Sequence, residues 1–332
     1  QYLATEESRK ATQISLVAAV ASGWLAVIAD EELLEITRQT LATRDEGLKL
    51  SKLRFDNGVT SEIDLRLAES LAENARAAYA QQQRLRMQDE NALALLLGTA
   101  VPPEAVKGGL GALDAVSPMA DVPAGLPSDL LNQRPDIRAA EQQLLAANAN
   151  IGAARANFFP RITLTATYGT ASNELSGLFD SGTKAWSFAP SLVLPIFDYG
   201  ANSARLDSAW ANRDIALAQY EKSIQSAFRE VADALAGRAT LGDQLDALRK
   251  TALAEEARFK LSDLRYRNGV ANALDLQDAQ RSLFTAQLAA TQTRLAQLQN
   301  QVTLFKALGG GWASRETAAA APTTSQASQA TR

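Results

Sequence analysis

Cysteine and histidine are both absent from the 332-residue chain. Their absence excludes disulfides, thiol nucleophiles, zinc sites built from Cys and His, histidine-bound haem and the Ser-His-Asp triad. An enzyme would have to rely on carboxylate or Lys/Ser chemistry, and the sequence contains neither a Walker loop nor a glycine-rich dinucleotide motif. We therefore expect no enzyme, no cofactor and no metal site.

Proline is missing from two long tracts, residues 1–101 and 196–321, and nine of the ten prolines lie between them. A proline inside a helix costs about 3 kcal/mol, so proline-free tracts rich in Ala, Leu, Gln, Arg and Glu allow very long helices. Only Gly237 and Gly242 interrupt the helical pattern of residues 201–266. At about 1.5 Å per residue, this pattern predicts a helix roughly 100 Å long. A helix of this length indicates a coiled coil, a solenoid or a tube wall.

A basic surface is also missing, because 33 basic and 37 acidic side chains give a net charge of -4. The few basic clusters are interleaved with acids at helical spacing, which predicts no binding of nucleic acid. The uncharged run 11–29 invites comparison with a membrane helix. It is rich in Ala and contains Thr, Gln, Ser and Gly, whereas a spanning helix needs about 20 predominantly apolar residues. We expect a packed helix in a bundle here, with a membrane helix as the alternative.

What the chain does contain is a long-range repeat. Residues 49–59 (KLSKLRFDNGV) return as 260–270 (KLSDLRYRNGV), identical at eight of eleven positions, with an offset of 211. The same register continues without a gap to Gly98. An ungapped match of this length indicates two copies of one structural unit. We expect each copy to be a hairpin of two long helices with Asn-Gly at its tip, near 57–60 and 267–271.

The predicted fold is mainly α with one β-hairpin and an internal two-fold repeat. The predicted segments are, in order: a first helical hairpin over 1–98, a Gly/Pro-rich irregular linker over 99–127, a helix over 128–159 capped by Ser128 or Asp129, a β-hairpin over 160–198 with its loop at 169–184, a second helical hairpin over 199–308, and a disordered tail over 309–332.

Two stretches with alternating polarity separate the two helical copies. Residues 161–168 alternate apolar side chains with Arg and Thr, and residues 186–196 do the same with small residues. One interpretation is a two-stranded ribbon that covers a helical core. The other is a pair of transmembrane β-strands of about 9 to 11 residues, with Tyr168, Trp186 and Phe188 in an aromatic girdle. This second interpretation requires further strands, because open strand edges are not tolerated in lipid.

Aspartates follow both predicted tips. Two candidate helix caps are each followed three residues later by an aspartate: Ser61 with Asp64, and Asn272 with Asp275. This spacing is typical of a capping box, and a carboxylate there also suits the helix dipole. Asp278 lies a turn farther into its helix, too far for a cap, and its counterpart in the first copy is Leu67. Because Asp278 breaks the repeat, it is the better functional candidate.

Six motifs together resemble a known family. They are RPDIRAAE at 134–141, ANFFPRI at 156–162, LPIFDYG at 194–200, YRNGV at 266–270, DAQRSL at 278–283 and KALGGGW at 306–312. In this order they resemble the TolC-type outer-membrane efflux channel family, and most closely its NodT/OprM-like lipoprotein branch. The resemblance covers roughly residues 1–312.

The resemblance implies a fold and a function. The implied fold is a homotrimer, with a transmembrane β-barrel in the outer membrane of a Gram-negative bacterium and a barrel of long α-helices in the periplasm. The implied function is a passive exit duct of a tripartite RND-type efflux system, and the implied partners are a periplasmic adaptor protein, an inner-membrane pump and outer-membrane lipid. The family pattern also places a lipid-bearing Cys, a first β-hairpin and the start of the first long helix before Gln1.

The alternative is a soluble periplasmic coiled-coil adaptor or scaffold protein. It would account for the two helical hairpins without a membrane barrel. An adaptor would have lipoyl-like or small-barrel β sequences between its helices, where this chain has the stretches 161–168 and 186–196. The alternating stretches therefore discriminate between the two.

The resemblance also implies the roles of particular residues. The adaptor-docking surface consists of the tip residues Arg54, Asn57, Gly58, Val59, Arg265, Asn268, Gly269 and Val270. The periplasmic gate consists of Leu274, Asp275 and Asp278, where three copies of each residue narrow the closed mouth. An acidic ring there would favour cations. Some family members add a basic residue two positions after the tip glycine as an ion-pair lock, but this chain has Ala271.

Overall fold

A computed structural model describes residues 1–106, 108–116 and 134–310. The described residues are mainly helical, with one two-stranded antiparallel sheet. The elements are, in chain order, α1 (Tyr2–Asp56), α2 (Glu62–Leu97), a 3-10 helix (Pro103–Val106), α3 (Ala112–Ala115), α4 (Pro135–Ala156), β1 (Arg161–Thr170), a 3-10 turn (Leu175–Gly177), β2 (Lys184–Val193), α5 (Ala201–Arg267) and α6 (Ala273–Ala307). The predicted disordered tail lies outside the described residues from 311 onward.

The predicted long helix is confirmed, because α5 runs unbroken for 67 residues. Gly237 lies inside it and serves a close approach between two helices. A Cβ built on this glycine would lie 2.6 Å from Oδ1 of Asn300 on α6. The Asn300 side chain donates a 2.9 Å hydrogen bond from Nδ2 to the carbonyl oxygen of Ala234. Gly237 therefore lets α5 and α6 pack closely without ending the helix.

The segment around residue 134 differs from the prediction. Arg134 lies outside a helix and α4 begins at Pro135, so the predicted helix is not continuous through Arg134; its predicted start at Ser128 or Asp129 lies outside the described residues. Proline suits a first helical position because the backbone N–H it lacks has no partner there anyway. Residues 117–133 are not described. The predicted irregular linker is also partly ordered, since it contains the 3-10 helix and α3.

The β-hairpin is shifted slightly from its predicted bounds. The strands were expected at 161–168 and 186–196, but β1 extends to Thr170 and β2 runs only from Lys184 to Val193. The loop is therefore 171–183 rather than 169–184. Alternation continues past Val193 in the sequence, but Pro195 has no N–H to donate to a ladder.

The chain divides into two compact units. The first contains residues 1–8 and 135–225, and the second contains the described residues of 9–134 and 226–310. In the second unit, two apolar clusters hold α1 against its neighbours. One joins Leu25, Ile28 and Ala29 of α1 to Leu113 of α3 and to Leu298 and Val302 of α6, and the other joins Val27 to Leu93 of α2 and to Val101 and Val106.

The uncharged run 11–29 lies in α1, which is long and apolar enough to cross a membrane by length and composition alone. Four of its last five residues belong to the two clusters: Leu25, Val27, Ile28 and Ala29. Trp24 also donates a 2.7 Å hydrogen bond from Nε1 to the carbonyl oxygen of Ala105. These contacts favour the interpretation as a packed helix.

A buried carboxyl group lies at the contact of α1 with α2. Asp30 is 8% exposed, and its Oδ1 accepts a 2.8 Å hydrogen bond from Nε2 of Gln82. Among the described residues no donor reaches Oδ2. Burial, together with the nearby Asp89 carboxyl, raises the pKa of Asp30 from 3.8 to about 7. Asp30 therefore holds a proton in weakly acidic solution that the unfolded chain would release.

We expect this group to make stability depend on pH. The folded pKa lies above the ordinary value, so the stabilisation is fully present below about pH 4 and is lost as pH rises to about 7. Each pH unit in that window lowers the free energy of unfolding by at most about 1.4 kcal/mol. Asp30→Asn should flatten the profile of thermal midpoint against pH between 4 and 7, because an amide mimics the protonated acid. Asp56→Asn, on an exposed position at the end of α1, is the control, and parallel profiles for all three proteins would contradict the assignment.

Candidate functional site

The two Asn-Gly tips fold in the same way. Gly58 and Gly269 have φ of +68° and +73°, a backbone conformation that favours glycine. In the first tip the N–H of Val59 donates to the carbonyl oxygen of Arg54 at 2.8 Å, and in the second Val270 donates to Arg265 at 2.9 Å. This is the Schellman arrangement that ends helices. Nothing lies within 4 Å of a Cβ built on either glycine, so the backbone angle alone requires glycine here.

The tip asparagines close the helix ends. The side chains of Asn57 and Asn268 each donate from Nδ2 to a carbonyl oxygen four residues earlier, at 2.7 Å in both tips. Val59 and Val270 remain 72% and 69% exposed. Both tips therefore present an exposed valine on a rigid turn, which is suited to contact with another protein.

The tip arginines differ from each other. Arg54 of α1 is half-buried and places its guanidinium 4.5 Å from the ring centre of Tyr266 on α5. This cation–π contact joins the two hairpins near their tips. Arg265 is exposed. Of the two predicted docking arginines, Arg54 thus has a structural contact within the chain as well.

The cap residues behave as predicted in the first hairpin and only partly in the second. Ser61 Oγ accepts from the N–H of Asp64 at 3.2 Å, and the Asp64 carboxylate accepts in return, which completes a capping box. Hydrogen bonds from the Ser61 and Thr60 hydroxyls lower the pKa of Asp64. In the second hairpin the N–H of Asp275 donates to Oδ1 of Asn272 at 2.8 Å.

Asp278 is held by two arginines. Arg258 of α5 contacts Oδ2, and Arg281 of α6 contacts Oδ1 at 2.8 Å. Hydrogen bonds from Arg281 and then Arg258 lower the pKa of Asp278, which keeps it ionised. Arg258 also pairs with Glu255 at 3.0 Å. We call Asp278, Arg258 and Arg281 the α5–α6 clasp.

The clasp has no counterpart in the first hairpin. At the offset of 211 residues, its three positions correspond to Gly47, Leu67 and Ser70. Sequence reasoning singled out Asp278 but missed both arginines, although the same comparison of the two copies would have identified them. Two positions after the tip glycine, where some family members have the basic residue of an ion-pair lock, this chain has Ala271. The basic residues that pair with Asp278 are instead Arg258 of α5 and Arg281 of α6.

The other predicted gate residues lie beside the clasp. Leu274 lies in the first turn of α6 and is 60% exposed. Asp275 lies in the same turn and is exposed. The three predicted gate residues therefore lie together in the first two turns of α6.

The β-hairpin has two chemically different faces. Tyr168 lies directly across from Trp186, and Ile162 directly across from Leu192. On the other face Thr163 pairs with Ser191 and Thr167 with Ser187, whose hydroxyls are 2.6 Å apart. All twenty strand residues are exposed within the chain. The interpretation as a ribbon covering a helical core is therefore wrong, and the apolar face has no cover among the described residues.

Comparison with known proteins agrees with this arrangement. The family model for outer membrane efflux proteins matches residues 1–99 and 126–310. A solvent efflux pump outer membrane protein, SrpC of Pseudomonas putida, is 49% identical over 312 residues, which cover 94% of this chain and 66% of SrpC. The chain therefore spans slightly less than two thirds of this relative.

Two solved structures have the same fold. A membrane protein from Pseudomonas aeruginosa has a TM-score of 0.82 at 46% identity, covering 94% of this chain and 70% of that one. The open state of the MtrE outer membrane channel of Neisseria gonorrhoeae has a TM-score of 0.78 at 44% identity, covering 93% and 69%. The matches include both helical hairpins and the strand pair between them, so the chain belongs to the outer membrane efflux protein family.

Proposed function

We propose that this chain is part of a passive trimeric exit duct in the outer membrane of a Gram-negative bacterium, serving a tripartite efflux pump. The observation that supports this most directly is the β-hairpin, with an apolar face of Tyr168, Trp186 and their neighbours that is exposed along its whole length. Membership of a family named for efflux supports transport rather than catalysis. The relative SrpC is named as part of a solvent efflux pump, so small apolar compounds are one substrate class for this chain.

The hairpin requires partners to become a barrel. Two strands leave both outer edges unpaired, and unpaired edges are costly in lipid. We infer that other strands, from further copies of this chain and from the segment that the family places before Gln1, close the sheet. Tyr168, Trp186 and Phe188 would then face lipid as an aromatic girdle, while Thr163, Thr167 and their partners would line the lumen.

The helical hairpins supply the periplasmic part. We infer that they are two copies of an internal repeat, and that six hairpins in a trimer form the helical barrel. The rigid tips around Gly58 and Gly269 would dock onto a periplasmic adaptor, which in turn contacts an inner-membrane pump. The exposed Val59 and Val270 support this role, since each lies in a hydrogen-bonded turn and its side chain remains largely accessible to solvent.

The gate lies at the mouth of the second hairpin. Leu274, Asp275 and Asp278 of three subunits would form the constriction, and the clasp would hold α6 against α5 in the narrow state. Opening would require the contact between Arg258 and Asp278 to break. A soluble periplasmic adaptor is not favoured, because the family match includes both hairpins and the exposed strand pair.

Topology tests the proposal. The chain has no cysteine, so a single Asn173→Cys in the loop 171–183 provides one labelling site within it. In the full-length protein, a membrane-impermeant maleimide should label this site in intact cells. Gln83→Cys, exposed on α2, should be labelled only after the outer membrane is permeabilised. A loop that stays unlabelled in intact cells, with protein present in the outer membrane, would refute the barrel.

A further inference from the structure

Arg44 of α1 is a buried charge with no counter-ion among the described residues. It is 8% exposed, and no described acceptor lies within hydrogen-bond distance of its Nη1. Among the described residues no carboxylate pairs with it, and the Arg281 guanidinium acts on it as a like charge. Burial, and to a smaller extent Arg281, lowers the pKa of Arg44, yet an arginine keeps its proton in proteins. A buried, unpaired charge is destabilising, so something must neutralise it.

A pocket adjoins this side chain. Its volume is about 220 Å³, and it lies between α1, α5 and α6. Hydrogen-bonding side chains line it together with Arg44: Gln39, Thr40, Thr43, Gln280 and Gln287. Lys260 and Glu256 also line the pocket, but they form an ion pair with each other at 2.6 Å, so their charges cancel. Apolar side chains complete the lining, which is therefore mixed and has one net positive charge: Ile36, Phe259, Leu283 and Phe284.

A second, smaller pocket of about 40 Å³ shares Arg44 and Gln280. It is also lined by Gln277, whose Oε1 is buried without a donor. A water molecule fits this volume and could join Arg44 to Gln277. Water would satisfy hydrogen bonds, but it would leave the charge of Arg44 unneutralised.

The two hairpins do not share a positive charge at the position of Arg44. At the offset of 211 residues, the second hairpin has Glu255 where the first has Arg44. The tips and helix ends have the same form in both hairpins, so neither sign of charge is needed to build a hairpin. Arg44 is thus best explained by what occupies its pocket.

We propose that the pocket beside Arg44 binds one small inorganic anion, between a halide and a phosphate in size. The single net positive charge suits one anion, and the Arg44 guanidinium and the side-chain amides of Gln280 and Gln287 can donate hydrogen bonds to it. A side chain from a macromolecular partner fits less well, because Arg44 is already buried by its own chain. The anion would neutralise Arg44 and relieve its repulsion with Arg281.

Bromide is a suitable probe, because it can be located by anomalous scattering. Crystals of the full-length trimer grown without halide and soaked in bromide should show an anomalous peak in contact with the Arg44 guanidinium. In solution at constant ionic strength, exchanging gluconate for bromide should raise the thermal midpoint by about 1–2 °C at tenfold excess over the dissociation constant. Arg44→Gln should lose this rise, while Arg84→Gln, on an exposed position of α2, should keep it.

The crystallographic measurement uses the unaltered protein, so it stands even if Arg44→Gln does not fold. Water alone beside Arg44, with no anomalous peak, would overturn the proposal. A carboxylate of a neighbouring subunit in contact with Arg44 would also overturn it. An equal rise in the thermal midpoint for Arg44→Gln and the unaltered protein would show that bromide acts elsewhere.

Discussion

The double variant Leu274→Ala and Asp278→Ala is expected to conduct more and to prefer cations less than the unaltered channel. Removing the leucine widens the proposed mouth, and removing Asp278 breaks the clasp and deletes one negative charge per subunit. One charge at about 4 Å from an ion in water contributes about 1 kcal/mol, which corresponds to roughly a fivefold change in cation preference. Single-channel recordings of the full-length trimer in planar bilayers measure both quantities.

Two further variants separate the clasp from the acidic ring. Arg258→Ala breaks the contact between α5 and Asp278 but leaves Asp278 charged, so conductance should rise, and cation preference should increase because a positive charge is removed. Asp64→Ala removes the capping box of the first hairpin, which should cost about 1 kcal/mol of stability and leave conductance unchanged. If the double variant forms trimers with ordinary conductance and selectivity, Asp278 only takes part in a surface ion pair and is not a gate residue.

Gly269→Val is expected to abolish efflux while trimers still reach the outer membrane. At a φ of +73° a β-branched residue is strained by roughly 1–3 kcal/mol, and the strain is confined to an exposed turn with nothing within 4 Å. The turn would shift locally, and the surface offered to the adaptor would be lost. Cellular accumulation of a fluorescent efflux substrate, measured beside trimer content of the outer membrane, checks this.

Gly269→Asn is the matched variant, because asparagine tolerates the left-handed backbone. It keeps the turn but adds a side chain to the tip surface. If glycine is needed for close approach of the adaptor, Gly269→Asn should also lose efflux. Recovery of efflux by asparagine would assign the glycine to the turn alone, and loss of trimers in Gly269→Val would do the same.

Sequence patterns predicted the parts of the fold that depend on local chemistry. The absence of proline predicted α5, and Asn-Gly predicted turns whose glycines indeed have positive φ. The alternating stretches predicted both strands. Bounds were less accurate at Arg134 and Val193, where the helix start and the strand end depend on backbone hydrogen bonding around prolines rather than on polarity.

The candidate site was predicted only in part, because its ion pairs join residues distant in sequence. Asp278 stood out in the comparison of the two copies, but its partner Arg258 lies on another helix, twenty residues earlier. The cation–π contact between Arg54 and Tyr266 joins different hairpins and leaves no trace in spacing. The replacement of Arg44 by Glu255 in the second copy is visible in the sequence, but the burial of Arg44 is visible only once three helices are packed around it.

The difference between the two hairpins has an evolutionary consequence. On the proposal that the two hairpins are copies of one internal repeat, one copy can keep a shared property while the other acquires a new one. Here both retain the Asn-Gly turn, whereas substitutions at only three positions distinguish the α5–α6 clasp from Gly47, Leu67 and Ser70. None of the three positions lies in the turn itself. Selection could therefore alter how firmly one hairpin is held without disturbing the reversal of the chain in either of them.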